Sequence, residues 1–467
     1  MRQLSSVHFP RNKCLMAKRL YFNAFPTLCE TRFTLNTTKM TLSISPAMKK
    51  WRFQIFAVTW LAYFAMYFCR KNYSVVMPVM SRELHTSKEE FAIVITVYSI
   101  MYMLGQFLNG YLSDRKGARM VVGIGLLIAV VSNLFMGWAG TVGSFIFLMS
   151  LNGLGQSSGW SGLIKNLTPW YKKEERGIVM SFWTTCYVIG GIAATAFATY
   201  WISDTHFLPG LTWKRAFFMP SILVFAIALI YIVFTRNTPE DVGLESFEEN
   251  TSASGKISDK AAQLAVLKNS AVWIAAGMYF FVKFTRYAFL FWLPLYLSEA
   301  LKYSDVQAGY TSIAYEAIGF FGILVAGFGS DYLFQSRRFP IAAIMLFGLA
   351  LMLFLQPHLS SMGMIPTILS IGMIGFFTYG PDSIMSGAAA MDMGKGQGAA
   401  MAAGVINGTG SAGQLFSPVV VAFVSDRYGW NALFELFVVV ALIAAALLLF
   451  KWNYGKAVPE AIGQAPV

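Results

Sequence analysis

Two arginines sit where a membrane-crossing sequence rarely places them. Arg70 lies late in an apolar run that begins near Phe53, and Arg286 lies at the matching place in a run that begins near Ala271. A charge at the centre of a bilayer-spanning helix costs roughly 2.5–3.5 kcal/mol on insertion scales, so each must face protein, water or a ligand. Tyr63, Tyr67 and Arg70 fall at i, i+4 and i+7, and Tyr279, Lys283 and Arg286 repeat that spacing. Each trio therefore shares one helical face. Two guanidiniums and an ammonium converging on one cavity make an anion site, because the guanidinium fork matches the oxygens of phosphate or carboxylate and keeps its charge at every relevant pH. The competing reading is that Arg70 snorkels to the interface or pairs with a buried acid. The symmetric pair favours the anion site.

Other polar residues in apolar surroundings have less specific readings. Lys71 points away from the Arg70 face and Lys165 ends its span, so both are expected at the membrane interface. The acids Glu316 and Asp382 are expected either to pair Lys283 or to titrate as coupling groups. Asp114, followed by Arg115 in the loop after the second span, is expected to accept helix N-terminal amides or pair with an arginine, bracing one conformation; Asp331 echoes it. Gly408-Thr-Gly410-Ser-Ala-Gly413 matches GxGxxG, but no strand precedes it. It reads as close helix packing, as do Gly155-Gln-Ser-Ser-Gly159 and Gly404-Val-Ile-Asn-Gly408. No P-loop, histidine cluster, metal spacing or nucleophile–base pair emerges, so neither a cofactor nor enzyme chemistry is expected.

The elements that must hold these residues follow from composition. Of 467 residues 56% are hydrophobic and 13% charged, against about 25% charged in a soluble domain. With 40 Phe, 24 Met and 40 Gly, this is a membrane-embedded helical chain and not a soluble enzyme, a fibre or a disulfide scaffold. About twenty apolar residues span a bilayer. Twelve spans are expected: Phe53–Met77, Phe91–Leu112, Met120–Gly140, Ser144–Ile164, Ile178–Ile202, Ala216–Phe234, Ala271–Leu297, Ala308–Leu333, Ile341–Leu355, Met364–Met385, Ala399–Val424 and Leu433–Trp452.

The net charge of +13 is better explained by basic cytoplasmic loops than by nucleic acid. Lys and Arg gather in loops joining even to odd spans, which puts both termini in the cytoplasm. Residues 236–270 read as a cytoplasmic linker between half 48–235 and half 271–453, with 454–467 as a tail. Residues 1–47 are basic and read as an extension upstream of a natural start at Met48, the alternative being a transit peptide.

The halves echo each other at an offset near 217. Arg70 precedes Pro78 by eight residues, as Arg286 precedes Pro294; Gly110-Tyr-Leu-Ser113-Asp114 matches Gly327-Phe-Gly-Ser330-Asp331; and Trp213 matches Trp430. Two parallel six-helix halves related by an axis along the membrane normal describe the major facilitator architecture, with substrate near the midplane.

The chain from Met48 onward resembles the organophosphate:phosphate antiporter family of that superfamily, which includes bacterial glycerol-3-phosphate and hexose-phosphate transporters. The matching residues are Tyr67-Phe-Cys-Arg70-Lys-Asn72, Arg286-Tyr with Trp292-Leu-Pro294, Gly159-Trp160, Glu175-Arg176-Gly177 and Tyr379-Gly380-Pro381. The resemblance implies exchange of an organic phosphate for inorganic phosphate in a bacterial inner membrane, the two arginines clamping phosphate and Tyr63, Tyr67, Trp160 and Tyr379 standing near substrate. It has two departures. The glycerol-phosphate carriers have a histidine where this chain has Tyr187, and a lysine in the second span where it has Gln106. Lys283 restores a positive charge from the seventh span. The expected partners are a small anion and lipid, with the chain a monomer. A sugar-phosphate sensor signalling to a histidine kinase, or a carrier of another organic anion, would show the same helices.

Overall fold

The computed structural model describes residues 45–172, 175–204, 206–245, 264–394 and 399–455. Two units are distinguished, Met1–Lys49 and Lys50–Val467. The first contributes, among the described residues, only the start of a helix. The basic extension, most of the linker and most of the tail fall outside the described residues.

The described residues form helices and no strands. The first span is α1 (Pro46–Met66) and α2 (Phe68–Glu83); the second is α3 (Lys88–Lys116) and the third α4 (Ala118–Met136). The fourth is α5 (Val142–Gln156) and α6 (Ser158–Leu167), the fifth α7 (Arg176–Trp183) and α8 (Thr185–Ser203), and the sixth α9 (Arg215–Phe234). In the second half come α10 (Ser270–Glu299), α11 (Asp305–Phe328), α12 (Arg338–Ser361), α13 (Met364–Ile384), the short α14 (Ala390–Gly394), α15 (Ala399–Arg427) and α16 (Gly429–Leu449). The ninth span, α12, is longer than the expected Ile341–Leu355, because Arg338 and the Pro357-His358 stretch continue the helix.

Nine helices among the described residues are long and apolar enough to cross a membrane on their own. The first and fourth spans are broken at Tyr67 and Ser157, and α15 is diluted by glycine, serine and asparagine.

The repeat seen in sequence is built into local structure. Ser87 caps α3 by accepting from Glu90 N while the Glu90 carboxylate accepts from Ser87 N at 2.8 Å; Ser304 and Gln307 repeat this capping box at α11. Trp213 Nε1 donates to Glu83 Oε2 at 2.7 Å, and Trp430 Nε1 donates to Glu299 Oε2 at 3.2 Å. Matching residues thus brace the same end of each half.

Between the halves, α8 packs on α11, α3 on α15, and α2 on α10. At the end of the bundle that holds Glu83, two ion pairs cross from half to half: Lys88 Nζ to Glu299 at 3.0 Å and Arg82 to Asp305 at 2.5 Å. At the opposite end, Asp114 pairs with Lys165, and Arg338 bridges Asp331 at 2.6 Å and Asp392 at 2.9 Å. Each of these pairs stays inside one half.

Within the second half, a Cβ added to Gly413 of α15 would collide with the Phe280 carbonyl of α10, so the glycine permits close helix approach. Gly404 and Gly408 have open space where a Cβ would stand. The expected seam there is absent among the described residues, and close packing begins two residues later, where Gly410 meets the Tyr279 ring.

Candidate anion site between the halves

Arg70 opens the site. The first span tightens into a three-residue turn at Tyr67, where Tyr67 N donates to Phe64 O and Arg70 N to Tyr67 O. Arg70 follows that turn and is 5% exposed. Its Nε donates to the Gln156 amide oxygen at 2.7 Å, and Nη2 is buried without a hydrogen-bond partner. Among the described residues no carboxylate lies within ion-pair distance of it. The Gln156 amide is oriented by its other contacts: Tyr98 OH donates to the same oxygen at 3.3 Å, while Nε2 donates to Cys69 O at 3.0 Å and Asn152 Oδ1 at 2.9 Å. The rings of Tyr67 and Tyr102 lie 4.9 and 5.2 Å from the guanidinium carbon, in cation–π range. Arg70 is therefore positioned by neutral groups that leave its charge uncancelled.

Arg286 has a different environment. Its Nη1 donates to Asp382 Oδ2 at 2.7 Å, while Nε and Asp382 Oδ1 are buried without partners. Its guanidinium carbon stands 4.6 Å from the Tyr379 ring of its own half and 5.7 Å from the Tyr187 ring of the other. Arg286 is thus at the seam between halves. Tyr67 interacts electrostatically with both Arg70 and Arg286. Lys283, one turn before Arg286, lies over the Tyr279 ring at 5.2 Å and against Gly410. It interacts with Asp382 and Arg286 and, across the seam, with Tyr102.

Both arginines stand with Lys283 near the seam. Tyr63 packs edge-on to Tyr67 at 6.0 Å and to Trp160 at 5.5 Å, with Trp183 5.5 Å from Tyr63. Tyr187 and Tyr379 flank Arg286.

Four pairings differ from expectation. Lys71 is not interfacial: it is buried, its Nζ 2.9 Å from Glu316 Oε1 and donating to Leu290 O at 3.2 Å. One residue past Arg70 is a turn of about 100°, and that direction meets the second half, not lipid. Glu316 thus serves Lys71, and Asp382 serves Arg286; neither pairs with Lys283. Asp114 pairs with Lys165, not with an arginine or a helix N-terminus, while Arg115 lies over the Tyr111 ring at 4.5 Å.

Gln156, Tyr98 and Tyr102 were not singled out in the sequence. The signal available for Gln156 was a long amide in the otherwise small stretch Gly155-Gln-Ser-Ser-Gly159. In the second span it is Tyr98 and Tyr102, not Gln106, that meet Arg70 and its partner.

The family model for the Major Facilitator Superfamily matches residues 59–403. The chain belongs to that superfamily. It is 30% identical over 428 residues to the glycerol-3-phosphate transporter of Bacillus subtilis, covering 88% of this chain and 94% of that protein. It is 31% identical to a probable hexose phosphate transport protein of Chlamydia pneumoniae, covering 87% and 92%. These likenesses place this major facilitator chain in the organophosphate:phosphate antiporter family. The membrane sensor protein UhpC of Escherichia coli is 28% identical, covering 87% and 93%. In fold, it matches a bacterial homologue of the human lysosomal transporter Spinster, inward-facing and unoccupied, with a TM-score of 0.72 at 15% identity, covering 87% and 98%. A D-xylose–proton symporter matches with a TM-score of 0.67 at 16% identity, covering 85% and 97%.

Proposed function

We propose that this chain exchanges an organic phosphate for inorganic phosphate by alternating access, as a secondary transporter in a bacterial inner membrane. The observation that carries the reading is Arg70. A buried guanidinium held by an amide and two aromatic rings lacks a counter-ion, and a bound anion supplies one. Breaking a buried pair costs about 3–5 kcal/mol because a charge is stranded; Arg70 has the converse relation, a stranded charge that binding completes. Arg286 faces the same seam from the matching position. The names of the relatives support phosphate esters over other organic anions.

The Asp114 end faces the cytoplasm in this reading, with both termini there and residues 236–270 linking halves 48–235 and 271–453. The ion pairs Lys88–Glu299 and Arg82–Asp305 then close the external side, so the site is reached from inside. Asp114–Lys165 and Asp331–Arg338 are braces internal to each half, available to re-pair when the cytoplasmic side closes. Asp382 and Glu316 act through the cations they hold, and a coupling role for either would require that pair to open.

The likeness to a membrane sensor favours one second reading, in which the same site binds a sugar phosphate and the chain signals. Proteoliposomes loaded with labelled inorganic phosphate separate the two. External glycerol 3-phosphate or glucose 6-phosphate should drive phosphate efflux. Tight binding of either ester to purified protein with no efflux would overturn exchange and support sensing.

A further inference from the structure

We propose that Ser74 and Pro294 form a releasable latch between the halves, one helical turn beyond the two arginines, and that Asn72 is the fixed anchor against which the latch works. The proposal rests on the alternating-access reading, in which the Glu83 end must open.

The latch begins with a proline. Pro294 stands inside α10 and has no N–H, so the carbonyl of Leu290, four residues earlier, lacks its intrahelical donor. The first half supplies one. Lys71 Nζ donates to Leu290 O at 3.2 Å, and Ser74 Oγ donates to the neighbouring Phe291 O at 2.7 Å. Ser74 and Phe291 are fully buried. A buried carbonyl without a donor is costly, so the proline makes a main-chain oxygen of one half depend on the other.

The same turn of α2 reaches in a second direction. Pro220 stands inside α9 and frees the carbonyl of Ala216 in the same way. Asn72 Nδ2 donates to Ala216 O at 2.9 Å and to Asn133 Oδ1 at 2.8 Å. Asn133 Nδ2 in turn donates to Phe217 O at 2.9 Å and Ser221 Oγ at 3.0 Å. All these partners belong to the first half. The bonds of Asn72 therefore survive when the halves separate, and those of Lys71 and Ser74 do not.

Position assigns the latch its task. Ser74 follows Arg70 by four residues and Leu290 follows Arg286 by four, in both helices toward the Glu83 end. The crossing point thus closes the anion site from that end. Opening must break the bonds to Leu290 O and Phe291 O and give the Leu290 oxygen to water. Asn72 meanwhile keeps the Arg70 turn fixed to its own half.

Distances between spin labels across the Glu83 end, in purified protein, read the latch without transport. Ser74→Ala strands no charge and should raise the population open at that end about two- to tenfold, the effect of one neutral hydrogen bond. Pro294→Ala returns an N–H to Leu290 O and favours the helix, so the melting temperature should not fall, yet the same distances should lengthen. Asn72→Ala removes only bonds inside the first half, and should lower the melting temperature while changing the open population less than about twofold. An unchanged open population in folded Ser74→Ala or Pro294→Ala overturns the latch. Opening by Asn72→Ala as large as that by Ser74→Ala overturns the division into anchor and latch. Failure of vesicle exchange, with Ser74→Ala still opening that end, would overturn the exchange reading and leave the latch in place.

Discussion

The Arg70 Nε stands 2.7 Å from the amide oxygen of Gln156, the same separation at which Arg286 meets a carboxylate. Two arginines at matching positions of a repeat thus have partners of different charge. The neutral one defines the stronger anion-attracting end of the site.

Gln156→Glu should convert that end into an ion pair. Binding of glycerol 3-phosphate should weaken about ten- to a hundredfold, because the anion must displace a carboxylate from Arg70. The new carboxylate is paired with Arg70 but loses the two Nε2 donations to Cys69 O and Asn152 Oδ1, so the melting temperature should fall while the protein still folds. Calorimetric titration beside a thermal melt checks both halves of the statement. Unweakened binding would mean that phosphate does not depend on an uncancelled Arg70.

Lys71 and Glu316 join the two halves through a buried pair, with side chains 4% and 2% exposed. Lys71→Ala or Glu316→Gln alone strands one buried charge and should cost about 3–5 kcal/mol. Lys71→Ala with Glu316→Gln should recover most of that loss. Detergent-solubilised melting temperatures of the three variants measure the coupling directly.

Lys88→Ala should shift the balance between access states. It removes the Glu299 pair and the cation over the Trp430 ring at 5.0 Å, both crossing the seam at the Glu83 end. The pair is partly exposed, so the shift should be modest, about 0.2–1 kcal/mol and less than about tenfold in population. Distances between spin labels across that end should show a larger open fraction than in the wild type, while melting temperature stays nearly constant.

How much of this was legible in the sequence depended on charge and locality. Arg70 and Arg286 were found because an intramembrane charge is costly and the repeat placed both on equivalent faces. The spans followed from hydropathy, although the breaks at Tyr67 and Ser157 did not, since both residues keep helical dihedrals and at Tyr67 only the hydrogen-bond spacing tightens. Partners were harder. Lys283 and Arg286 share a face three residues apart, so sequence alone could not decide which one Asp382 holds. The sequence alone points Lys71 at the interface, because the second half occupies that direction only after long-range packing. Gln156 carries no charge and sits among small residues, so its bond to Arg70 left no local mark.

The most direct test of the phosphate clamp is exchange of labelled inorganic phosphate by proteoliposomes carrying wild type, Arg70→Lys or Arg286→Lys. Lysine keeps the charge and loses the fork, leaving phosphate a point contact in place of parallel N–H donors. Arg70→Lys should lower apparent phosphate affinity about ten- to a hundredfold with normal protein yield, and Arg286→Lys should fall in the same direction. Wild-type exchange by both lysine variants at equal phosphate concentration would contradict the clamp.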